Sequence, residues 1–212
     1  MLSFLNTVMN KQRNPENTRM KILAAAFKEM HRHGYQGMRV DQVLKNTDLK
    51  KGALYHHFSS KQALGYAVLE ELIEKKVSEL WIEPLDQFDD PLEGIYTLVK
   101  NVGNTFSDEF FSLGCPLNNL AQEMSPLDEG FRERIEEFYQ LWHSALSKTL
   151  KKGQERGIVS PTINVDDSAM FILTVIEGTT GMTKNYQNKE PFYSCSRELK
   201  RYLESLRVKK LK

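Results

Sequence analysis

The segment VDQVLKNTDLKKGALYHHFSSKQAL, residues 40–64, decides the fold of this 212-residue chain. Its apolar positions predict a short helix that ends at Asn46–Asp48 and a second short helix over residues 51–58. Two short helices separated by a tight turn are typical of a helix-turn-helix, in which the second helix presents its first turn to the major groove of DNA. The segment therefore predicts a DNA-binding head.

The beginning of the second short helix conflicts with the usual preferences of helices. Lys50 and Lys51 oppose the helix macrodipole by about 0.3–1 kcal/mol each, and Gly52 costs about 1 kcal/mol relative to alanine. Such conflicts are expected at functional sites rather than at sites optimised for stability. DNA phosphates would neutralise the lysines, and the glycine would allow the backbone to approach DNA closely. The alternative is a strained loop on an ordinary helical surface.

Charge is divided unevenly along the chain. Residues 1–57 contain ten Lys and Arg against four Asp and Glu, which gives a net charge of +6. Residues 58–212 contain 19 basic and 24 acidic residues, a net charge of −5, so the formal charge of the whole chain is only +1. The cationic part is expected to meet a polyanion such as DNA, and uneven surface charge without a function is the alternative.

Helical periodicity extends over most of the chain, and no alternating strand pattern of useful length is present. Residues 18–33 predict a first helix that Asn17 or Thr18 can cap and that Gly34 ends. Further helices are predicted from about Ser60 to Leu80, from Pro91, over 131–149, over 166–187 and over 194–206. The fold class that follows is all-α.

Composition and motifs narrow the class of protein. The 40% hydrophobic and 27% charged residues are ordinary for a globular protein, and no stretch approaches the roughly 18–20 apolar residues of a membrane span. The opening MLSFLNTVMN has no basic region before it and no cleavage site, so the cytoplasm is the expected compartment. Two distant cysteines cannot form a disulfide framework. Neither an enzyme, a metal site nor a cofactor is expected, because phosphate loops, nucleophile elbows and His/Cys/carboxylate clusters are absent from the sequence.

Residues 40–64 resemble the signature of the TetR family of bacterial transcriptional regulators, and LKKGALYHHFSSKQAL is the most specific part. The preceding TRMKILAAAFKEMHRHGYQGMRV resembles that family's first helix and its lead into the second. Two positions depart from the family pattern: Asp48 replaces the usual glycine of the turn, and Lys50 replaces the usual helix-capping serine or threonine. Aspartate can adopt the left-handed conformation of such turns, so the turn is expected to persist.

The resemblance implies an N-terminal three-helix helix-turn-helix DNA-binding domain over residues 17–61, preceded by a basic arm over residues 1–16. A larger C-terminal helical domain, residues 62–212, would bind a ligand and form a homodimer. The implied function is repression at a palindromic double-stranded DNA operator, with release by a small-molecule effector. The alternative is a DNA-binding protein of the same fold with an architectural role or a protein partner. A filled apolar cavity in the second domain or ligand-induced loss of DNA binding would favour the effector, and a solidly packed body with a protein partner would favour the alternative.

The resemblance also implies which residues contact DNA. Lys51 can donate to guanine edges, and Ala53 can pack on a thymine methyl group. Lys11 and Arg13 of the arm are expected to add salt-dependent affinity. The positions that meet bases or phosphates in this family are Lys51, Gly52, Ala53, Tyr55 and His56, and the expected phosphate contacts are Thr18, Arg39, Lys50, His57 and Lys61.

Large apolar residues of the second domain are the candidates for an apolar ligand pocket, and core packing is the alternative for each. Cys115 is a further candidate, because a helix dipole would favour its thiolate. Relatives that sense electrophiles or oxidants have a similar Gly-Cys pair, whereas a buried inert thiol is the alternative. His143 is either a polar group of the pocket or a surface residue. The apolar candidates are Trp81, Phe106, Phe110, Met124, Phe138, Trp142 and Phe171.

Overall fold

The structure, a computed structural model, describes residues 15–209, so Lys11 and Arg13 of the expected basic arm lie outside the described residues. The chain divides into two compact units between Leu72 and Ile73. This division comes later in the sequence than the boundary expected after Lys61. The reason is that the helix beginning at Lys61 packs against the first helix of the chain.

The first unit is built around its longest helix, α1, which packs against the three short helices that follow. Gly34 interrupts the helical conformation of α1 with a φ of 75°, at the position where the sequence predicted the helix to end. The helices are α1 (Pro15–Gly37), α2 (Val40–Lys45), α3 (Lys51–His57) and α4 (Lys61–Val68), followed by a π-helix (Leu69–Glu74).

The core of the first unit contains apolar side chains from all four helices. Ile22 and Leu23 of α1, Val43 of α2, Leu54 of α3 and Leu64 of α4 have no exposed surface. Complete burial of a leucine-sized side chain contributes about 1.5–3 kcal/mol, so these residues provide much of the driving force for folding this unit. They fix the positions of α2 and α3 relative to α1.

Arg19 connects the beginning of α1 to the end of the first unit. Its guanidinium donates to both carboxylate oxygens of Glu71 and lies 5.1 Å from the centre of the Phe58 ring. The hydrogen bonds from Arg19 lower the pKa of Glu71. Because the two charged side chains remain 33% and 39% exposed, solvent screens the pair and its contribution to stability is at most about 1 kcal/mol.

The second unit is a layered bundle in which α9 and α10 pack against each other. Helix α9 also contacts α6 and α8, while α10 contacts α7 and α11, and α11 returns to α6. Its elements are α5 (Lys75–Trp81), a 3-10 helix (Glu83–Gln87), α6 (Pro91–Thr105), α7 (Asp108–Leu113), α8 (Pro116–Met124), α9 (Glu129–Glu155), α10 (Val165–Tyr186) and α11 (Glu190–Ser205).

Side-chain caps define where the long helices of the second unit begin. Asp90, Asp128 and Asn164 each accept hydrogen bonds from backbone amides in the first turns of α6, α9 and α10. Asp90 also accepts a hydrogen bond of 2.6 Å from Arg207, which ties the segment after α11 to the start of α6. Over residues 15–209 the only β-type pairing is the isolated bridge Val159–Arg207, so the described chain is all-α.

Two series of buried residues enter the π-helix. Val68 is five positions before the buried Ile73, and Leu69, which is also buried, is four positions before it. A π-helical turn encloses one residue more than an α-helical turn. The sequence predicted one regular helix here, and the π-helix instead keeps both series of apolar residues buried.

Candidate functional site

The turn between α2 and α3 has the conformation that a helix-turn-helix requires. Asp48 has a φ of 56°, so the left-handed conformation predicted for this aspartate is confirmed. The Thr47 hydroxyl donates to the carbonyl oxygen of Leu44 at 3.0 Å. The Asn46 amide donates to the carboxylate of Glu29 in α1 at 3.3 Å. These bonds attach the turn to α2, which precedes it, and to α1.

Helix α3 is buried along one side and exposed along the other. Leu54 is fully buried and Phe58, directly after the helix, is 4% exposed. Lys51, Gly52, Tyr55 and His56 are exposed and, at spacings of one and four residues, lie on one helical face. We call these four residues the α3 face.

Two further exposed cations lie at the N-terminal ends of α2 and α3. Lys50 is the N-cap residue of α3, with an extended backbone and no side-chain capping bond, and it is exposed. Lys50, which replaces the usual capping serine or threonine, therefore makes no capping hydrogen bond with its ammonium group. Arg39 is the N-cap residue of α2 and is also exposed.

The remaining predicted DNA contacts are less exposed. Thr18, Ala53 and His57 are half-buried, as is Lys61. The Lys61 ammonium donates to the carbonyl oxygen of Gln36 at 3.0 Å and lies 5.0 Å from the centre of the Tyr35 ring. Lys61 therefore joins α4 to the end of α1, and its phosphate contact stays a prediction.

Gly52→Ala is expected to raise the stability of the protein and to lower its affinity for DNA. A Cβ atom at Gly52 would have no atom within 4 Å, and alanine is favoured over glycine in a helix by about 0.5–1 kcal/mol. We expect the variant to be more stable in chemical denaturation by up to about 1 kcal/mol. We expect it to bind DNA more weakly in fluorescence anisotropy, because the added methyl group occupies space beside the DNA. Unchanged affinity in a stabilised variant would contradict the close approach at Gly52.

A cavity of about 630 Å³ lies within the second unit, between α8, α9 and α10. Its size is that of sites that bind small organic molecules. The surface of the wall is largely apolar, although ten of the fifteen lining residues have polar side chains. The lining residues are Asn118, Ala121, Gln122, Ser125, Arg132, Ile135, Glu136, Tyr139, Gln140, His143, Met170, Leu173, Thr174, Glu177 and Gly178.

None of the eight predicted ligand residues lines this cavity. Trp81, Met124, Phe138 and Trp142 are buried in the core. Phe106 and Phe110 are half-buried and their ring centres lie 4.1 Å apart. Phe171 is 47% exposed, 4.4 Å from the ring of Tyr202, and Cys115 lies behind the wall. The prediction selected the largest apolar side chains, but these fill a core best, and the cavity lies where smaller and polar side chains meet.

Cys115 is the N-cap residue of α8, as the thiolate hypothesis required. Its thiol donates to Glu177 Oε1 at 3.5 Å. Burial and the charge of Glu177 raise the pKa of the thiol well above its usual range. The backbone amides of Leu117 and Asn118 at the start of α8 lower this pKa, as the helix dipole predicts, but desolvation outweighs them and the group stays a neutral thiol at neutral pH.

Glu177 is the residue of this site that sequence reasoning missed. It is 8% exposed, and its Oε2 atom has no hydrogen-bond partner among the described residues. Burial raises the pKa of Glu177 to about 7, although the hydrogen bond from Cys115 lowers it. The sequence contained a signal, because Glu177 is the single charged residue in the apolar run AMFILTVIEGTTGMT, residues 169–183.

Three polar side chains surround Glu177 or share its cavity. Asn118 donates to the backbone carbonyl oxygen of Glu177 at 3.1 Å. Burial, followed by the charges of Glu177 and Cys115, raises the pKa of Tyr139. His143 lines the cavity and its Nε2 atom lies 2.9 Å from the carbonyl oxygen of Asp166, which places it in the pocket rather than on an unrelated surface.

Sequence families match both units of the chain. A family of bacterial regulatory proteins, the tetR family, matches residues 22–68. The family described as tetracyclin repressor-like, C-terminal domain, matches residues 91–199, slightly more than half of the chain. The chain belongs to the TetR family. The predicted family and the predicted all-α architecture, with an N-terminal helix-turn-helix domain and a larger C-terminal helical domain, are confirmed.

Individual TetR-family relatives agree with this assignment. The chain is 31% identical to the transcriptional regulator LmrA of Bacillus subtilis over 64% of this chain and 72% of LmrA. It is 26% identical to the transcriptional repressor DhaR of Mycobacterium sp. strain GP1, over 74% of this chain and 78% of DhaR. A helix-turn-helix regulator from the lacX 3′ region of Lactococcus lactis is 29% identical, and the match spans 64% of its length.

Solved structures show the same fold. A TetR transcriptional regulator from Chloroflexus aurantiacus superposes with a TM-score of 0.83 at 23% identity, over 93% of this chain and all of that protein. No helix within residues 15–209 is long and apolar enough to cross a membrane. The same residues contain no group of three or more His, Cys, Asp or Glu placed to hold a metal ion.

Proposed function

We propose that this TetR-family regulator is a homodimeric repressor that binds a palindromic DNA operator and leaves it when a small-molecule effector enters the cavity of the second unit. The observation that carries the DNA-binding part is the α3 face. Helix α3 is fixed by Leu54 on one side and presents Lys51, Gly52, Tyr55 and His56 on the other, with Lys50 next to them in the sequence and Arg39 exposed at the start of α2. Base and phosphate contacts by these residues fit the way a helix-turn-helix enters the major groove.

The cavity supports control by a small molecule rather than the architectural alternative. Helices α8, α9 and α10 leave between them a cavity of about 630 Å³ that is open to solvent, and a largely apolar cavity of this size is suitable for a small organic molecule. The cavity lies wholly within the part of the chain that matches the tetracyclin repressor-like C-terminal domain. Repression is proposed rather than activation because a relative, DhaR, is named a repressor.

An exposed apolar stripe supports the homodimer. On α10, Met170, Phe171 and Met182 are 52%, 47% and 49% exposed, and Tyr193 of α11 is 42% exposed. Gly178 lies between them with no atom near its Cβ position, which permits a close approach by another helix. Exposed apolar side chains along a helix are available for contact with another subunit, and a dimer would match the two half-sites of a palindrome.

A DNA titration tests the proposal. Purified protein is titrated against DNA flanking its own gene, at several salt concentrations, with scrambled DNA of equal length as the control. We expect tight binding at a palindromic site, on the order of a thousandfold or more above the scrambled DNA, and a steep loss of affinity with salt. Compounds that release the DNA would then identify the effector. Weak binding without sequence preference would favour the architectural or partner-controlled alternative.

A further inference from the structure

The cavity contains a buried acid that the protein itself does not fully satisfy. Glu177 lines the cavity and is 8% exposed; its Oε1 accepts the thiol hydrogen bond of Cys115, while Oε2 has no partner among the described residues. A buried acceptor without a donor is unfavourable, and a buried carboxylate without a cation more so. Such a group is retained at a cost to stability, which is expected of a binding site rather than of a core.

We propose that Glu177 selects effectors that carry a cationic amine on an apolar body. The inference rests on the proposed function in one respect only, namely that the occupant of the cavity is the effector. The amine would donate to Oε2 after a rotation of the Glu177 side chain toward the cavity. The apolar body would pack against Ala121, Ile135, Met170 and Leu173.

The other charges of the cavity favour a cation over an anion. Arg132 is the cationic side chain of the wall, and it already bonds the carboxylates of Glu129 and Glu136 at 2.5 and 2.6 Å. Glu136 also lines the cavity, so an anionic ligand would meet two carboxyl groups and an arginine that is already paired. An ammonium group would meet the unpaired acceptor of Glu177 and form a charge-assisted hydrogen bond.

Several titratable or charged groups lie near Glu177 or share its cavity. Cys115 reaches it from the start of α8, and Tyr139 faces it from α9, which also contributes Arg132, Glu136 and His143 to the cavity. On α10 itself, Lys184 is directed to Asn119. Toward α11, the small cavity with Cys195 is lined by Ile176 and Thr179 rather than by Glu177.

Glu177 has its pKa raised to about 7, so the carboxylate that attracts a cation predominates above neutral pH. Since a ligand binds only the competent fraction, an alkylamine should bind about tenfold more weakly at pH 6 than at pH 8. The amine itself stays protonated throughout this range.

Three probes with one apolar body test the proposal on the full-length protein. Isothermal titration calorimetry at pH 8 compares 4-phenylbutylamine, 4-phenylbutan-1-ol and 4-phenylbutyrate. We expect the amine to bind about tenfold to a hundredfold more tightly than the alcohol, and the carboxylate to bind most weakly. Glu177→Gln should bring the amine and the alcohol within about threefold of each other and remove the pH dependence of amine binding.

Glu137→Gln is the matched control, because it removes an exposed carboxylate from the same helix, α9, that does not line the cavity. This variant should keep the preference for the amine. Glu177→Gln keeps the volume of the side chain and removes a buried acid, and thermal unfolding followed by circular dichroism verifies that it folds. His143 remains in both variants, so loss of the pH dependence in Glu177→Gln alone assigns the dependence to Glu177.

Three results would overturn the proposal: equal binding of amine and alcohol, preference for the carboxylate, or no binding of the amine. A preference that survives Glu177→Gln would overturn it as well. Binding is measured without DNA, so its outcome is independent of the proposed function. An amine that binds through Glu177 but never releases DNA would contradict effector control and leave this inference standing. DNA release by another compound, without binding of the amine, would support effector control and contradict this inference.

Discussion

Replacing Lys51 by alanine is expected to weaken operator binding by about tenfold to a hundredfold and to relax the discrimination between base pairs at one position of each half-site. Lys51 is the first residue of α3 and is exposed. Its ammonium lies 5.8 Å from the centre of the Tyr55 ring, on the same helical face. We expect this lysine to reach guanine O6 and N7 in the major groove, so that its loss removes a contact that depends on sequence.

The measurement is a fluorescence-anisotropy titration of wild type and Lys51→Ala against the operator and a set of single-base-pair variants. Lys28→Ala is the matched control, because Lys28 is an exposed lysine of α1 in the same unit and its loss changes the net charge equally. The control should bind nearly as wild type. If Lys51→Ala lost affinity equally for every sequence, Lys51 would be a phosphate contact, and the base-reading role would be wrong.

Replacing Trp142 by alanine is expected to lower the free energy of unfolding by about 3–5 kcal/mol. Trp142 lies in the core of the second unit with 1% of its surface exposed, and its ring stacks on Trp81 with the ring centres 5.7 Å apart. Truncation would leave a large void between α9 and its neighbours and would remove this stacking. Urea denaturation followed by circular dichroism measures the loss.

Trp142→Phe is the control for this prediction. The indole Nε1 is buried and has no hydrogen-bond partner among the described residues, so phenylalanine keeps an aromatic ring and removes an unsatisfied donor. We expect it to cost less than about 1.5 kcal/mol. A phenylalanine variant as unstable as the alanine variant would show that the full size of the indole, and not the aromatic contact with Trp81, determines stability.

The helix-turn-helix could be predicted because its determinants are local. The left-handed turn at Asp48, the uncapped lysine at position 50 and the single buried side chain of α3 depend on residues close in sequence. The bounds of α10 were predicted to within one residue for the same reason, since its apolar run is long. Helix α7 was missed because it is short and its periodicity is too brief to recognise, and of α8 only the start near Cys115 was expected.

The ligand cavity could not be predicted, because it is the unfilled space that remains where three helices pack together. Phe138 and Ile135 lie three positions apart on α9, yet Phe138 is buried in the core and Ile135 lines the cavity. Periodicity identifies the apolar side of a helix but not which apolar residue meets a neighbour and which meets a void. The same limit explains Cys115, whose pKa depends on a carboxyl 62 positions away in the sequence.

The π-helix Leu69–Glu74 affects how the sequences of relatives should align with this one. An i to i+5 hydrogen bond encloses one residue more than the bond of an α-helix. A relative that is one residue shorter at this point would keep Val68 and Ile73 at buried positions by forming an uninterrupted α-helix. Single-residue gaps between such relatives are therefore expected inside a helix, over residues 69–74, and not only in the loops where insertions and deletions usually accumulate.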